Sequence, residues 1–279
     1  MGKILVTGAT GNIGKFLVDK LVEDGHSVKA FTRNPEKANL NSNIEICKGD
    51  LTNKDEIFQA LTGVDKAFLL LANIPADPFI EVASQIGLKH LVFLSSYSVD
   101  INWKSKNNFI AKHHAEVESK IKSNGIPYTF LRPAGFMTTV YQWLGSIKTQ
   151  GIAFLPYPDI SHAVIHSKDI ALSAAEVLKN NSHIGKSYFL SGPELITPRE
   201  MVKQISDVIG KELSVVQPER QQTINMMSHN LPISIIESIL ELLESSPKII
   251  EVSDNVRRLT HTRGITFKTW IEENKVFFL

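Results

Sequence analysis

Short apolar runs alternate with helical stretches through the first half of the chain. Near-continuous apolar segments, which are the predicted strands, lie at 4–6, 27–32, 44–47, 66–71, 90–94 and 128–131. Strands of this kind, with helices between them, are typical of a parallel sheet that is covered on both faces. Residues 13–21 place apolar side chains at helical spacing and form the first predicted helix. The pattern predicts an α/β protein with a doubly wound parallel sheet over residues 1–133.

The alternation loosens from about residue 134, and longer helices follow. Thr197, Pro198 and Glu200 supply the N-cap, first-turn proline and N3 glutamate of a helix running to about Gly210. A second apolar helix is predicted at 233–243, and a capping box at Thr52 is predicted to start the helix after the third strand. We expect residues 134–279 to form a smaller, mainly helical substrate-binding region, with 187–190 as a candidate strand returning to the sheet.

The segment GATGNIG at 8–14 joins the first strand to the first helix. Gly8 permits a tight reversal, Gly11 lets a pyrophosphate approach the backbone, and Gly14 leaves room for the helix to pack on the strand. The helix N-terminus would offer N–H groups to the phosphates. Three glycines alone are often only a turn, but the strand and helix around them favour a dinucleotide site on a Rossmann-type fold.

Arg33 bears on the choice of dinucleotide. A carboxylate about 20 residues beyond the glycine turn would bind the adenosine ribose of NAD, whereas an arginine there suits a 2′-phosphate. This chain has Arg33, with Lys37 close behind. The alternative is a solvated surface arginine. We predict that NADP(H) is preferred over NAD(H).

Bulk composition excludes several classes of partner. The 279 residues are 43% apolar and carry 30 basic and 29 acidic side chains, a net charge of +1, which leaves no electrostatic footprint for nucleic acid or anionic membranes. No apolar run reaches the roughly 18 residues of a membrane helix. The chain passes from Lys3 directly into a strand, without room for a signal peptide, and its single cysteine, Cys47, cannot form an internal disulfide. We expect a cytoplasmic protein.

Four segments resemble a known superfamily. TGATGNIG at 7–14 resembles the short-chain dehydrogenases/reductases; residues 49–51 resemble the adenine-contacting turn of their atypical members, and residues 131–133 their LRP segment. FTRNPEK at 31–37 is similar to NmrA-like proteins, triphenylmethane reductases and related quinone reductases. The chain is identified as a member of the atypical NmrA-like group over about residues 1–192. The predicted cofactor contacts are Gly8, Thr10, Gly11, Asn12, Ile13, Gly14, Arg33, Lys37, Asp50, Leu51, Leu71, Ala72, Asn73, Lys112 and Pro133.

The resemblance also implies a serine after the fifth strand and a proton-donating tyrosine four residues before a lysine. Ser96 and Lys112 occupy the serine and lysine positions, but Asn108 stands where the tyrosine would be. That departure argues against sugar-nucleotide epimerases and ordinary alcohol dehydrogenases. Lys112 would contact the nicotinamide ribose or orient the substrate, or else form an exposed helix pair with Glu116. Tyr97 is a candidate replacement donor, so the candidate catalytic set is Ser96, Tyr97 and Lys112.

The predicted substrate wall comes from the resemblance and comprises Tyr97, Phe136, Met137 and Tyr141, followed by Trp143. Its alternative is plain core, the commoner fate of such side chains. Histidines give no metal site in the sequence. His113 and His114 would point about 100° apart on a helix, while His162 and His166 share a face of an extended run without a cysteine or carboxylate to complete a ligand set.

Three functions follow from the resemblance and the missing tyrosine. The first is an NADPH-dependent oxidoreductase that transfers hydride to an electron-poor small-molecule acceptor such as a quinone, where delocalised charge reduces the need for an acid. The second is a non-catalytic NADP(H) sensor that reports redox state to a protein partner. The third is an enone or aldehyde reductase, isomerase or lyase that uses Lys112 or Tyr97 as its acid.

Overall fold

The structure, a computed structural model, describes residues 2–38, 40, 44–71, 74–100, 108–245 and 252–279. Within these residues, seven parallel strands form one sheet in the order β3-β2-β1-β4-β5-β6-β8. The order reverses between β1 and β4, where doubly wound sheets bind their ligands. The strands are β1 (Ile4–Thr7), β2 (Val28–Thr32), β3 (Glu45–Lys48), β4 (Lys66–Leu69), β5 (His90–Leu94), β6 (Tyr128–Pro133), β7 (Ile152–Phe154), β8 (Lys186–Leu190) and β9 (Ser214–Val216).

Helices cover both faces of the sheet, which confirms the predicted doubly wound architecture. One apolar core contains Leu17 of α1 and Ala174 of α6, and the opposite core contains Ile57 of α2, Phe79 of α3 and Val117 of α4. The helices are α1 (Gly14–Glu23), α2 (Lys54–Leu61), α3 (Asp77–Gln85), α4 (Phe109–Ser123), α5 (Leu144–Gln150), α6 (Ser167–Lys179), α7 (Pro198–Ile209), α8 (Arg220–Met227), α9 (Ile233–Ser245), α10 (Asn255–Thr260) and α11 (Phe267–Asn274).

One of the two predicted capping boxes is present. Thr197 and Glu200 form it reciprocally at the start of α7. The prediction at Thr52 is wrong, because Asn53 caps α2 by accepting hydrogen bonds from the N–H groups of Asp55 and Glu56 at 3.0 and 3.4 Å. Thr52 instead donates its hydroxyl to Asp50, an example of a short polar side chain satisfying a nearby turn rather than the helix.

Segments beyond residue 133 contribute to the sheet as well as to the cap above it. β8 pairs with β6 in parallel, with Thr129 opposite Lys186 and Pro133 opposite Leu190, and α6 packs in the core beside α1. The cap comprises the small β7–β9 sheet, the α7 to α9 helices and an apolar core that includes Ile147 and Trp270. No helix of the described chain is long and apolar enough to cross a bilayer.

Candidate functional site

The glycine turn follows β1 at the point where the strand order reverses. Gly8 lies in the left-handed region at φ 62°, and its carbonyl accepts the N–H of Gly11 at 2.9 Å. A Cβ on Gly14 would lie 2.1 Å from the same carbonyl oxygen, whereas a Cβ on Gly11 would lie 3.3 Å from it. Gly14 is therefore required for helix packing, and Gly11 leaves an exposed space above the turn.

The beginning of α1 suits an anion. Its N-cap, Ile13, makes no side-chain cap bond, and no acidic residue lies in the first turn. Within the described chain, the N–H groups of Asn12 and Ile13 donate to no acceptor. Thr10 is half-buried and Asn12 is exposed beside them. Unsatisfied N–H groups at the positive end of a helix dipole form an anion site.

The ends of β2 and β3 bring Arg33 and Asp50 together. The two strands pair, Arg33 follows β2 as an exposed side chain, and Asp50 follows β3. Hydrogen bonds from the N–H and hydroxyl of Thr52 hold the pKa of Asp50 below its ordinary value, with a smaller contribution from the positive charge of Arg33. Asp50 therefore stays ionised and shapes the turn, while Arg33 presents a cation at its edge.

Other predicted cofactor contacts have different surroundings. The Leu51 side chain is 9% exposed and packs in the core with Ile57. Leu71 lies just after β4, and Pro133 is the buried last residue of β6. Ala72 and Asn73, together with the side chain of Lys37, lie outside the described part of the chain.

A buried ion pair fixes the turn after β5. Arg132 donates to both oxygens of the Glu118 carboxylate, at 2.9 Å from Nε and 2.5 Å from Nη2. Ser95 donates to Glu118 at 2.6 Å, and Arg132 also pairs with Asp100. The network joins β6, α4 and the turn from both sides. Sequence reasoning missed it, although an acidic residue on the apolar face of α4 was its visible signal.

The predicted Ser96 and Tyr97 lie on this fixed turn. The Ser96 hydroxyl oxygen accepts the N–H of Ser98 at 3.2 Å and its hydroxyl at 2.8 Å. Tyr97 is half-buried, lies 6.2 Å from Phe189 between ring centroids, and lines a cavity described below. The structure thus brings both residues to the carboxyl edge of the sheet.

Asn108, at the predicted tyrosine position, is 2% exposed. Its side-chain oxygen caps α4 by accepting the N–H of Ala111 at 3.0 Å. Its amide donates to the Ser238 carbonyl at 3.1 Å and to the Glu241 carboxylate at 3.0 Å. The side chain is therefore committed to holding α4 and α9, not to a reacting group.

Lys112 is exposed in the first turn of α4. In the described chain, no ion pair within 4.0 Å joins it to Glu116. The helix-pair explanation weighed from sequence therefore has no contact to support it.

A cavity of about 510 Å³ lies between the sheet edge and the cap. Polar groups in its wall include Tyr97, Thr139, Gln142 and His162, and the remainder is largely apolar. From the cap come Pro198, Met201, Pro218, Met226, Met227, Leu231, Ile239, Leu242 and Leu243. A mostly apolar pocket with a few polar groups, beyond the carboxyl ends of β5 and β6, is typical of a small-molecule site.

The structure places the residues of the predicted wall after β6 in different surroundings. Thr139, Gln142 and Trp143 line the cavity, but Phe136, Met137 and Tyr141 do not. Residues 137–143 form a 3₁₀ helix, in which positions three apart share a face. Met137, 1% exposed, and Val140 therefore point into the cap core, while Tyr141 donates to Asn274 at 2.8 Å. Phe136 packs against the sheet core.

His162 joins the cavity wall although its sequence gave no pocket signal. Burial lowers its pKa to about 4, so the ring is neutral at physiological pH. His166 instead caps α6, accepting the N–H of Lys168 at 2.8 Å. Among the described residues, no three histidine, cysteine or acidic side chains are placed to hold a metal.

Three features define a Rossmann-type nucleotide-binding protein: the parallel sheet, its reversal of strand order, and a glycine turn that leads into a helix with free N–H groups. A cap covers the pocket beside them. Within that class, the chain belongs to the NmrA-like family, which matches residues 1–260.

Similar proteins span the whole chain. A (4-alkanoyl-5-oxo-2,5-dihydrofuran-3-yl)methyl phosphate reductase from Streptomyces griseus is 30% identical, with 99% of both chains covered. An NAD(P)H azoreductase from Xenophilus azovorans is 26% identical over 99% of both chains. A solved NADPH-dependent quinone oxidoreductase from Escherichia coli, in complex with NADPH, has a TM-score of 0.83 at 22% identity and covers 97% of this chain and 99% of its own. The last likeness shows the shared fold.

Proposed function

We propose that this protein is an NADPH-dependent reductase that acts on an electron-poor, conjugated acceptor such as a quinone. The observation that carries the proposal is the juxtaposition of two sites at one edge of the sheet. The glycine turn after β1 leads into a helix whose first turn has no side-chain cap bond. A largely apolar cavity with Tyr97 in its wall lies on the other side of the strand reversal, beyond β5 and β6. Two relatives are named as reductases, one of a conjugated lactone phosphate and one of azo compounds.

The residues present fit a dinucleotide. The space above Gly11 and the N–H groups of Asn12 and Ile13 suit the pyrophosphate, and Arg33 suits a 2′-phosphate. Lys112, exposed at the start of α4, would contact the nicotinamide ribose. A bound NADPH supplies hydride to the acceptor. We place its preference over NADH on Arg33, because a guanidinium forms charge-assisted hydrogen bonds with phosphate.

The proposed reaction needs no side chain dedicated to acid catalysis among the described residues. The Asn108 amide is too weak an acid to transfer a proton, and it is buried against α9. An acceptor that spreads the incoming negative charge over a conjugated system can take its balancing proton from water. Tyr97 and Gln142 then serve to orient the acceptor's polar atoms, and the apolar cap excludes water from its rings.

Steady-state oxidation of NADPH, followed at 340 nm against a panel of quinones, azo dyes, enones and aldehydes, tests the proposal. We expect quinones or other conjugated acceptors to be reduced and simple aldehydes to be poor substrates. Efficient reduction of aldehydes alone would contradict it, because an alkoxide product requires an acid that the structure does not provide at Asn108.

A further inference from the structure

In the described chain, a polar cluster centred on buried Asn108 and Ser238 fastens α9 of the cap to α4. We call it the α4–α9 clamp: Asn108, the backbone N–H of Phe109, Ser238 and Glu241. Besides the two bonds from the Asn108 amide, the N–H of Phe109 donates to the Ser238 hydroxyl at 2.9 Å. That hydroxyl in turn donates to the carbonyl of Ser234 at 2.7 Å. Asn108 and Ser238 are 2% and 3% exposed.

The clamp and the cavity wall use neighbouring faces of the same helix. Ser238 and Glu241 are three residues apart on α9 and face α4. Ile239, Leu242 and Leu243 follow them by one or two residues and line the cavity. Since positions three and four apart share a face of a helix, any rotation of α9 away from α4 would also move this wall.

The other polar contacts of α9 are exposed. The Glu237 side chain, 43% exposed, pairs with the Arg220 side chain, 47% exposed. The Glu244 carboxylate accepts a hydrogen bond from the Tyr157 hydroxyl at 3.3 Å. Exposed pairs of this kind stabilise little. The buried Asn108 amide donates to a carboxylate and to a backbone carbonyl, and such hydrogen bonds are stronger and costly to leave unmade. The clamp is therefore the main polar connection between α9 and the sheet-bound part of the chain that the structure describes.

We propose that Asn108 is a positioning residue for the acceptor: through Ser238 and Glu241 it holds α9 in the orientation that shapes the cavity. Its oxygen meanwhile caps α4, the helix that carries Lys112. A tyrosine at this position could not replace it, because a phenol lacks both the second donor and the cap geometry. The inference rests on the proposed function for its kinetic readout only.

Asn108→Asp separates the two roles of the side chain. Aspartate remains a good N-cap, so α4 should start as before, but the two amide donors disappear and a second carboxylate faces Glu241. We expect the KM for the acceptor to rise about tenfold or more, while the Kd for NADPH changes less than twofold. Amide hydrogen exchange of residues 233–245, measured with NADPH present, should become faster by a similar factor.

Glu241→Gln added to Asn108→Asp provides the rescue, since the glutamine amide can donate to the new carboxylate. We expect most of the acceptor KM and of the α9 protection to return. The matched control is Asn180→Asp. Asn180 also uses its side-chain oxygen as a cap, accepting the N–H of Ser182 at 2.8 Å, but it lies near the amino ends of the strands, away from α9. Neither acceptor KM nor α9 exchange should change in it.

Three results would overturn the inference: unchanged α9 exchange in Asn108→Asp, equal losses of NADPH and acceptor binding, or no recovery in the double variant. If the parent protein reduces none of the acceptors tested, the proposed function fails by itself. Hydrogen exchange in the single and double variants would still decide whether the clamp holds α9.

Discussion

The glycine turn offers a test that separates folding from binding. A Cβ on Gly11 would contact only the Gly8 carbonyl oxygen, at 3.3 Å, and no other heavy atom within 4 Å. A Cβ on Gly14 would lie 2.1 Å from that oxygen and 2.7 Å from the Ala9 Cα. Neither glycine has a positive φ. The fold therefore requires a glycine at 14, whereas at 11 we expect the requirement to come from a bound dinucleotide.

The expected magnitudes differ accordingly. In Gly11→Val the free energy of unfolding should change by less than about 1 kcal/mol, since the site is exposed and removing a glycine restricts the unfolded chain. Its NADPH affinity should fall about a hundredfold or more, the loss of one or two charge-assisted hydrogen bonds of about 1.5–3 kcal/mol each. Gly14→Ala should cost about 3 kcal/mol or more of stability, because backbone must move.

Fluorescence titration with NADPH and urea unfolding of the three proteins supply the two quantities. Parent-like NADPH binding by a folded Gly11→Val would show that the turn is purely structural. Unfolding of Gly11→Val would also contradict the prediction, because it would show that the fold itself needs this glycine. Gly14→Ala serves as the control for a steric defect within the same turn.

Three further predictions concern charge and chemistry. Titration should show the parent binding NADPH about ten- to hundredfold more tightly than NADH, and Arg33→Ala should remove that preference. Lys112→Ala and Tyr97→Phe should each lower kcat/KM for a quinone by less than about tenfold, since a true general acid contributes about 10²–10⁴. Burial raises the pKa of Asp169 to about 6, so the folded state binds the carboxyl proton more tightly than the unfolded state does. The stability that this proton contributes is therefore lost as pH rises from about 4 to 6. Over that range, urea unfolding should show the free energy of unfolding of the parent falling relative to that of Asp169→Asn, by up to about 3 kcal/mol in total.

Each of these has a result that would count against it. Equal parent affinities for the two cofactors would remove Arg33 from the site. A loss beyond a hundredfold in Lys112→Ala or Tyr97→Phe, with NADPH affinity unchanged, would assign that residue as the acid. For Asp169, comparison with the variant cancels the opposite slopes of histidines such as His162, whose pKa is lowered. An unchanged difference between the two proteins from pH 4 to 7 would disprove the buried-carboxyl argument.

Local patterns predicted the sheet well. His90–Leu94 matches its predicted bounds, because a fully buried strand is a continuous apolar run with clear polar ends. The glycine turn could also be predicted from the sequence, because its whole pattern lies within eight consecutive residues. β6 runs on to Pro133, two residues beyond its apolar run.

The pocket was harder to predict from the sequence, because its walls come from segments that are far apart in the chain. The apolar pattern after β6 does not reveal the three-residue period of the 3₁₀ helix, which turns Thr139 and Gln142 to the cavity and Met137 away from it. Met226 and Met227 lie on a short helix without a strong apolar pattern, so nothing in the sequence attached them to the site. The sequence showed Asn108 only as a departure from the expected tyrosine. Its contacts with α9 could not be predicted, because its partners are 130 and 133 residues away in the chain.

Anaerobic single turnover of protein-bound NADPH, mixed with a quinone and followed at 340 nm, measures hydride transfer itself. We expect oxidation of one NADPH for each quinone reduced, at a lower rate when the transferred hydrogen of NADPH is deuterium. Tight NADPH binding with no absorbance change, against quinones, azo dyes and enones alike, would contradict it and favour a redox sensor.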